Sequence, residues 1–202
     1  MKRGLTLLEI LVALAVLAIF TTALLAFTQG TLTANRLARK QAQLLEELKD
    51  AAGYLADTLQ EAQTVLSSAT VNDQTCEPPT CLAVLLPEDG GKCALRAYRL
   101  EARKDVEDDH KSPDPWADAN TRTLREYRRS EQECSATTFS GAQHYVVLDL
   151  VDDDSNLEFF KEVSPTYVTL NIRLKAREGG RILYVPGAGQ TYSLQVYPRN
   201  AP

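Results

Sequence analysis

Residues 1–30 read MKRGLTLLEILVALAVLAIFTTALLAFTQG, and this stretch decides how the rest of the chain is interpreted. Between Leu5 and Phe27, only four residues are neither aliphatic nor aromatic: Thr6, Glu9, Thr21 and Thr22. As an α-helix this run would extend about 34 Å, enough to cross the ~30 Å hydrocarbon core of a bilayer. The run is longer than the apolar region of a secretory signal peptide, and no clear small-residue cleavage site closes it. The sequence therefore predicts a membrane-spanning helix.

The composition of the whole chain is that of a folded protein. It has 202 residues, of which 44% are hydrophobic and 24% charged, and its formal net charge is −5. The length suits one domain of ordinary size with an appendage. The apolar fraction excludes intrinsic disorder and collagen-like structure for the chain as a whole. The negative net charge argues against a general nucleic-acid-binding protein.

Four cysteines occur, and all lie beyond the apolar stretch: Cys76, Cys81, Cys93 and Cys134. A zinc site is disfavoured, because the shortest spacing is C-x4-C and neither His110 nor His144 has a ligand partner at finger spacing. We therefore expect disulfides, which place the residues after the span in an oxidising compartment and the N-terminus on the cytoplasmic side. Four cysteines allow three pairings. We favour Cys76–Cys81 with Cys93–Cys134, because Pro78-Pro79 predicts a tight reversal between the first two.

Residues 29–68 keep a helical pattern without the hydrophobicity of a membrane span. Their apolar residues recur at steps of three, four or seven: Leu37, Leu44, Leu48, Leu55, Leu59, Ala62 and Leu66. Charged and amide side chains lie between them, and no proline precedes Pro78. One continuous helix from about Leu5 to Ser68 is predicted, and its outer half is expected to pack its apolar stripe on a sheet.

Residues 69–202 show the period of two that is typical of strands. A hairpin turn is expected at Glu178-Gly179-Gly180, and a polar loop at Asp105–Asn120. Together these patterns predict an α+β fold, in which the long N-terminal helix precedes an antiparallel β-sheet domain. The runs predicted as strands are Leu82–Leu86, Cys93–Arg103, Thr121–Arg129, His144–Val151, Thr166–Arg177, Arg181–Val185 and Thr191–Tyr197.

The hexapeptide at residues 4–9, GLTLLE, follows basic residues, precedes the apolar helix and resembles the prepilin signature of type IV pilins and type II secretion pseudopilins. In that family a prepilin peptidase cleaves after the glycine, here between Gly4 and Leu5, and methylates the new N-terminus. Glu9 matches the family's glutamate at the fifth mature position, whereas Leu5 stands where phenylalanine is usual. The resemblance thus implies a leader at 1–4, a transmembrane and assembly helix at 5–28 and a type IV pilin-like fold.

The long helix and the disulfide-bearing sheet domain are most similar to the W-type minor pilins and the J-type pseudopilins. The resemblance implies a minor pilin of a type IV pilus or its initiating tip complex, serving adhesion, motility or DNA uptake. The precursor is expected in the inner membrane with its globular domain in the periplasm, and the assembled form at the cell surface. Expected partners are the peptidase, other pilin subunits and the inner-membrane assembly platform. Two alternatives stay open: a type II secretion pseudopilin, and a non-polymerising single-span anchor with a ligand-binding sheet domain.

Glu9 has a physical reason to be an assembly residue. A carboxylate deep in lipid costs about 2.5–3.5 kcal/mol, so it is usually paired and functional. Cleavage would leave an amine on Leu5, four residues before Glu9 and therefore on the same helical face. A neighbouring subunit shifted along the fibre could pair with this carboxylate. The alternative interpretation is a glutamate at the level of the membrane interface.

Two further patterns are ambiguous, and none indicates catalysis. The acidic segment Asp152–Glu158 lacks the glycine and final glutamate of a calcium loop, so a solvated turn is favoured over a cation site. Five residues could contact nucleic acid, but neighbouring acidic residues favour a solvated sheet face. No enzymatic activity, metal site or cofactor is predicted. The five residues are Arg122, Arg125, Tyr127, Arg128 and Arg129.

Overall fold

The structure is a computed structural model that describes residues 7–199. It begins with helix α1, a single α-helix of 55 residues at Leu7–Glu61. The chain up to Lys40 forms one compact unit, and the chain from Gln41 onward forms a second. The second unit holds the outer part of α1 and the strands. The predicted α+β arrangement, a long N-terminal helix followed by an antiparallel sheet domain, is confirmed.

Thirteen strands follow α1 in the described part of the chain. A short helix, α2 (Pro115–Asn120), lies between the fifth and the sixth of them. The strands are β1 (Thr64–Leu66), β2 (Ala69–Val71), β3 (Gln74–Cys76), β4 (Cys81–Pro87), β5 (Cys93–Ala102), β6 (Thr121–Gln132), β7 (Thr138–Phe139), β8 (Gln143–Asp152), β9 (Phe160–Val163), β10 (Val168–Ile172), β11 (Leu174–Glu178), β12 (Arg181–Val185) and β13 (Tyr192–Val196).

The strands form one large and two small sheets. The large sheet has seven strands in the order β1-β4-β5-β6-β8-β11-β12, and each neighbouring pair is antiparallel. One small sheet has the order β13-β10-β9. The other has the order β3-β2-β7, in which β2 and β7 pair in parallel. The expected hairpin turn at Glu178-Gly179-Gly180 joins β11 to β12.

Strand β4 of the large sheet is buried on both faces. Its residues Leu82 and Val84 belong to the same apolar cluster as the buried stripe of α1, which includes Leu48. The alternate residue Leu85 belongs to a second cluster, together with the half-cystines and residues of the small β3-β2-β7 sheet. A strand that is buried on both faces requires a continuous apolar run, and residues 81–86 read CLAVLL.

Helix α1 ends at Glu61, earlier than the end expected at Ser68. Beyond it, the backbone N–H of Gln63 donates to the carbonyl of Leu85, at 2.8 Å. Strand β1 then pairs antiparallel with β4 along the edge of the large sheet. The β-branched pair Thr64-Val65 favours strand over helix. Leu66 lies in this strand, so its agreement with the apolar period of the helix is a coincidence.

Two other regions differ from the sequence-based expectation. The single strand expected at Thr166–Arg177 is two strands, because β10 lies in the sheet with β9 and β13 whereas β11 lies in the large sheet. The expected polar loop contains α2, which Asp114 caps by accepting from the backbone N–H groups of Trp116 and Ala117, each at 3.1 Å. Buried Arg103 holds this region by donating to Asp149 and to the carbonyl of Ser112, at 2.9 and 2.8 Å.

The four cysteines form two disulfides, Cys76–Cys81 and Cys93–Cys134, which is the pairing that the sequence analysis favoured. The first bridge joins the end of β3 to the start of β4. The second joins the start of β5 to the segment after β6, across a sequence separation of 41. The longer bridge therefore constrains far more of the unfolded chain than the shorter one.

We expect the double variant Cys93→Ser/Cys134→Ser to lower the free energy of unfolding by about 4 kcal/mol, because it frees the longer loop. The matched double variant Cys76→Ser/Cys81→Ser should lose only about 2 kcal/mol, since its loop is short. Urea unfolding followed by Trp116 fluorescence measures both losses. Equal losses would contradict the loop argument, and non-reducing peptide mapping that joined Cys76 to Cys93 would refute the pairing.

Candidate functional site

The N-terminal part of α1 is an exposed apolar surface. Every residue at positions 7–36 is exposed, and the fractions reach 79% for Leu7, 70% for Phe20 and 72% for Phe27. By length and composition, α1 can cross a membrane, and none of its most apolar stretch is buried. A core helix of a soluble domain would be buried on at least one side. This surface is therefore consistent with anchoring in a membrane.

The threonines in this surface are compatible with such an environment. The hydroxyls of Thr21, Thr22 and Thr28 donate to backbone carbonyls three or four residues earlier, at 2.7–3.1 Å. The hydroxyls of Thr31 and Thr33 do the same, each at 2.9 Å. A polar group in lipid must find its hydrogen-bond partner within the protein. The helix supplies these partners itself, so the threonines do not interrupt the apolar surface.

Glu9 lies in the first described turn of α1 and is exposed among apolar side chains. The N-terminal end of a helix favours a carboxylate, because unpaired backbone N–H groups give it a partial positive charge. Gly4 and Leu5, the residues expected to flank the cleavage site, lie outside the described residues. Cleavage between them, and the pairing of the new amine with Glu9, therefore stay predictions.

The outer part of α1 is fixed to the large sheet by polar side chains around one buried carboxylate, which we call the Glu126 cluster: Tyr54, Arg96, Tyr98, Glu126 and Arg128. Glu126 on β6 is fully buried. It accepts hydrogen bonds from the hydroxyl of Tyr54 on α1, at 2.8 Å, and from that of Tyr98 on β5, at 3.1 Å. Arg128 and Arg96 form ion pairs with its two carboxylate oxygens, at 2.6 and 3.5 Å. Helix and sheet thus share one buried charge.

The electrostatics of the Glu126 cluster keep both tyrosines neutral. Burial, followed by the negative charge of Glu126, raises the pKa of Tyr98. Burial and the hydrogen bond to the same carboxylate raise the pKa of Tyr54. Both hydroxyls therefore act as donors at any physiological pH. A buried carboxylate is tolerated when its oxygens receive hydrogen bonds and a counter-charge, and this cluster provides both.

The acidic segment Asp152–Glu158, which starts at the end of β8, is only partly the solvated turn that the sequence favoured: Ser155, Asn156 and Glu158 are exposed, whereas the aspartates are paired within the domain. Asp152 is buried, and its carboxylate accepts from Nε of Arg173 at 2.6 Å. Asp154 accepts from the same guanidinium at 2.7 Å, and Asp153 accepts from Lys175 at 2.8 Å. Hydrogen bonds from Asn156 and from Arg173 lower the pKa of Asp154. Arg173 and Lys175 therefore neutralise these three aspartates, which disfavours a bound metal ion at this segment.

The arginine-rich strand β6 is only partly the solvated face that the sequence favoured: Arg129 is exposed, but the face is not solvated throughout. Arg125 and Tyr127 are buried, and Arg125 pairs with Glu101 and Glu107 at 2.9 and 3.1 Å. Burial and the hydrogen bond to Glu101 raise the pKa of Tyr127 to about 12. Arg128 belongs to the Glu126 cluster. These cations are neutralised within the domain, which weakens any attraction for nucleic acid.

One group was missed by the analysis of spacing. Glu107, His110 and His144 each offer a ligand atom, and these atoms all lie within 4.8 Å of one another. Finger-type motifs place ligands close in sequence, whereas His144 comes from a strand far along the chain from the other two. The sequence shows the two histidines and the carboxylate as residues of ligand type. Only the folded structure shows that the turn with Glu107 and His110 lies beside His144 on β8.

In comparisons with known proteins, only the N-terminal residues of the chain find a match. Residues 1–25 match the sequence model of the prokaryotic N-terminal methylation motif. This motif is the prepilin signature of type IV pilins and pseudopilins, so the resemblance drawn from residues 4–9 is confirmed, while the subtype is not determined. No curated protein and no solved structure matches the chain.

We expect Glu126→Ala to lower the free energy of unfolding by about 3–5 kcal/mol, because it leaves the buried hydroxyl of Tyr98, the hydroxyl of Tyr54 and two guanidinium groups without their shared partner. Glu126→Gln should lose less, since an amide oxygen still accepts a hydrogen bond. Glu162→Ala removes an exposed glutamate from β9 and should change the value by no more than about 0.5 kcal/mol. Urea unfolding measures all three, and a small loss for Glu126→Ala would contradict the structural role of the cluster.

Proposed function

We propose that this chain, whose first 25 residues carry the prepilin signature, is a minor pilin. In this proposal the precursor sits in the inner membrane with its globular domain in the periplasm. Prepilin peptidase cleaves it between Gly4 and Leu5 and methylates Leu5. The inner-membrane assembly platform then inserts the processed subunit into a type IV pilus or its initiating tip complex, where α1 contacts other pilin subunits.

The observation that supports this proposal most is the coincidence of the motif with an exposed apolar surface on one uninterrupted helix. A plain membrane anchor needs only about 20 apolar residues and no defined residues before them. Here the exposed stretch is preceded by a processing motif, and it continues without a break into a half that is buried against a sheet. A helix built in this way can exchange lipid for neighbouring helices while its outer half holds the globular domain.

Glu9 is the residue that we assign to assembly. Cleavage after Gly4 converts Leu5 into a terminal amine, so the mature helix carries a cation and an anion one turn apart. A neighbouring subunit, displaced along the fibre, would bring its amine to this carboxylate in a setting of low dielectric constant, where the attraction is strong. Assembly would then compensate the cost of keeping a carboxylate among apolar side chains.

The type II secretion pseudopilin is the second candidate, because it uses the same signal and the same kind of helix. The neighbouring genes discriminate between the two machines. A retraction motor encoded beside this chain favours the pilus, whereas an outer-membrane secretin with secretion partners favours the pseudopilin. A chain that kept its first four residues in cells would instead be the non-polymerising anchor.

We expect Gly4→Leu to leave the full-length protein in the membrane, because a large side chain does not fit a peptidase subsite built for glycine. N-terminal sequencing of the wild-type protein should begin at methylated Leu5. The matched control is Gly30→Leu, which adds the same bulk to an open position on the same helix and should be processed normally. A wild-type protein that begins at Met1 while fibres still form would refute the processing step.

We expect Glu9→Ala to be inserted and cleaved normally, since it removes an unfavourable charge from lipid and leaves the residues around the cleavage site intact. It should fail to enter the fibre and accumulate, processed and stable, in the inner membrane. Glu46→Ala, which removes an exposed glutamate beyond the apolar stretch of α1, should assemble like the wild type. Blots of sheared fibres and in-cell cross-linking measure incorporation. If Glu9→Ala entered the fibre at the wild-type level, the assembly role would be wrong, and Glu9 would be only a residue at the level of the membrane interface.

A further inference from the structure

The two histidines of this chain, the only two in its 202 residues, lie beside each other and beside a glutamate. The ring centroids of His110 and His144 are 6.0 Å apart. Nε2 of His144 lies 3.9 Å from a carboxylate oxygen of Glu107. We call these three residues the histidine–glutamate group. It belongs to the globular domain and takes no part in the assembly helix.

A 3-10 turn and a strand place the group. Glu107 and His110 are at the two ends of a 3-10 turn, in which the backbone N–H of His110 donates to the carbonyl of Glu107 at 3.1 Å. His144 lies on β8, directly opposite Tyr127 of β6 in the strand register. The ring of Tyr127 is 6.0 Å from that of His144. The turn and the strand therefore hold the three side chains on one patch of surface.

A buried neighbour orients the carboxylate. The guanidinium of Arg125 binds Oε2 of Glu107 at 3.1 Å, and the other oxygen, Oε1, faces His144. Arg125 is itself neutralised by Glu101 at 2.9 Å, so its charge does not fall on the group alone. A second residue that fixes a ligand in this way is characteristic of metal sites, in which outer partners set the direction of the coordinating atoms.

We propose that Glu107, His110 and His144 bind one divalent transition-metal ion, with Zn²⁺ and Cu²⁺ as the ions that best suit the ligands. Imidazole nitrogen is a preferred ligand for both ions, and a carboxylate completes a set of three protein ligands. The remaining positions are left to water or to a group of another molecule. Calcium and magnesium do not suit this group, because both prefer oxygen ligands alone.

The geometry allows this coordination with a small movement of side chains. Ligand atoms around tetrahedral zinc lie about 3.3 Å apart, given zinc–nitrogen distances of about 2.0–2.1 Å. The present separations are within 4.8 Å. All three side chains are accessible, with exposed fractions of 53% for Glu107, 41% for His110 and 36% for His144. They can therefore close around an ion by rotation, without displacing a packed core.

Isothermal titration of the full-length protein in detergent micelles with zinc chloride tests this site. One saturable zinc ion per chain is expected. His110→Gln and His144→Gln should each weaken the zinc affinity at least about tenfold, and the double variant should show no saturable binding. The control Asp105→Asn removes an exposed acid two residues before Glu107 and should bind zinc like the wild type.

Each other outcome overturns the proposal. The titration could show no saturable heat, or saturable binding could persist in the double histidine variant. Binding of half an ion per chain, together with dimerisation, would place the ion between two copies of the chain. Circular dichroism and disulfide mapping check that the variants fold. If they do not, paramagnetic resonance of Cu²⁺ bound to the wild-type protein decides, since coupling to two imidazole nitrogens is required and coupling to one or none refutes the site. The result is independent of the proposed pilin function.

Discussion

An α-helix satisfies its own backbone hydrogen bonds, and α1 depends on this property in two different surroundings. Along residues 7–27 its surface is almost entirely apolar and is exposed, which is consistent with a surrounding of lipid. Further along, the apolar residues narrow to a stripe that includes Leu48 and Leu55, which is buried against the sheet. No change of backbone conformation separates the two surfaces. The composition alone changes, and the helix remains continuous from Leu7 to Glu61.

The globular domain buries charged side chains, and each of these would lower its stability if it were left unpaired. Buried Glu126 contacts two tyrosines and two arginines, and buried Asp152 contacts Arg173. Each carboxylate receives hydrogen bonds as well as a counter-charge, which is the condition under which a buried ion pair is tolerated. Both groups join separate parts of the domain. The first links α1 to the large sheet, and the second lies where β10 ends and β11 begins.

The parts of the fold that the sequence predicts are those governed by local periodicity. The stripe of α1 and the apolar run of β4 need no knowledge of distant residues, and both were predicted. The break at Arg173 was not, because it depends on Asp152 and Asp154, which are 21 and 19 residues away along the chain. The contact between Tyr54 and Glu126 spans 72 residues. Polar partners at such separations leave no periodic pattern in the sequence. The short strands were not predicted either, because two or three residues are too few to show a period.

The N-terminus matches a known sequence motif, whereas the rest of the chain matches none, and this difference is consistent with these constraints. In the function proposed for this chain, the helix enters lipid, is cleaved and meets other helices, which limits its composition and the placement of Glu9. The methylation motif covers residues 1–25, within this part of the chain. The surface of the globular domain has no such limit once its core and buried ion pairs are in place. His110 and His144 belong to that surface. His110 is exposed and His144 is half-buried, so their contact adds little to stability, and the metal-binding role proposed for them would account for their juxtaposition.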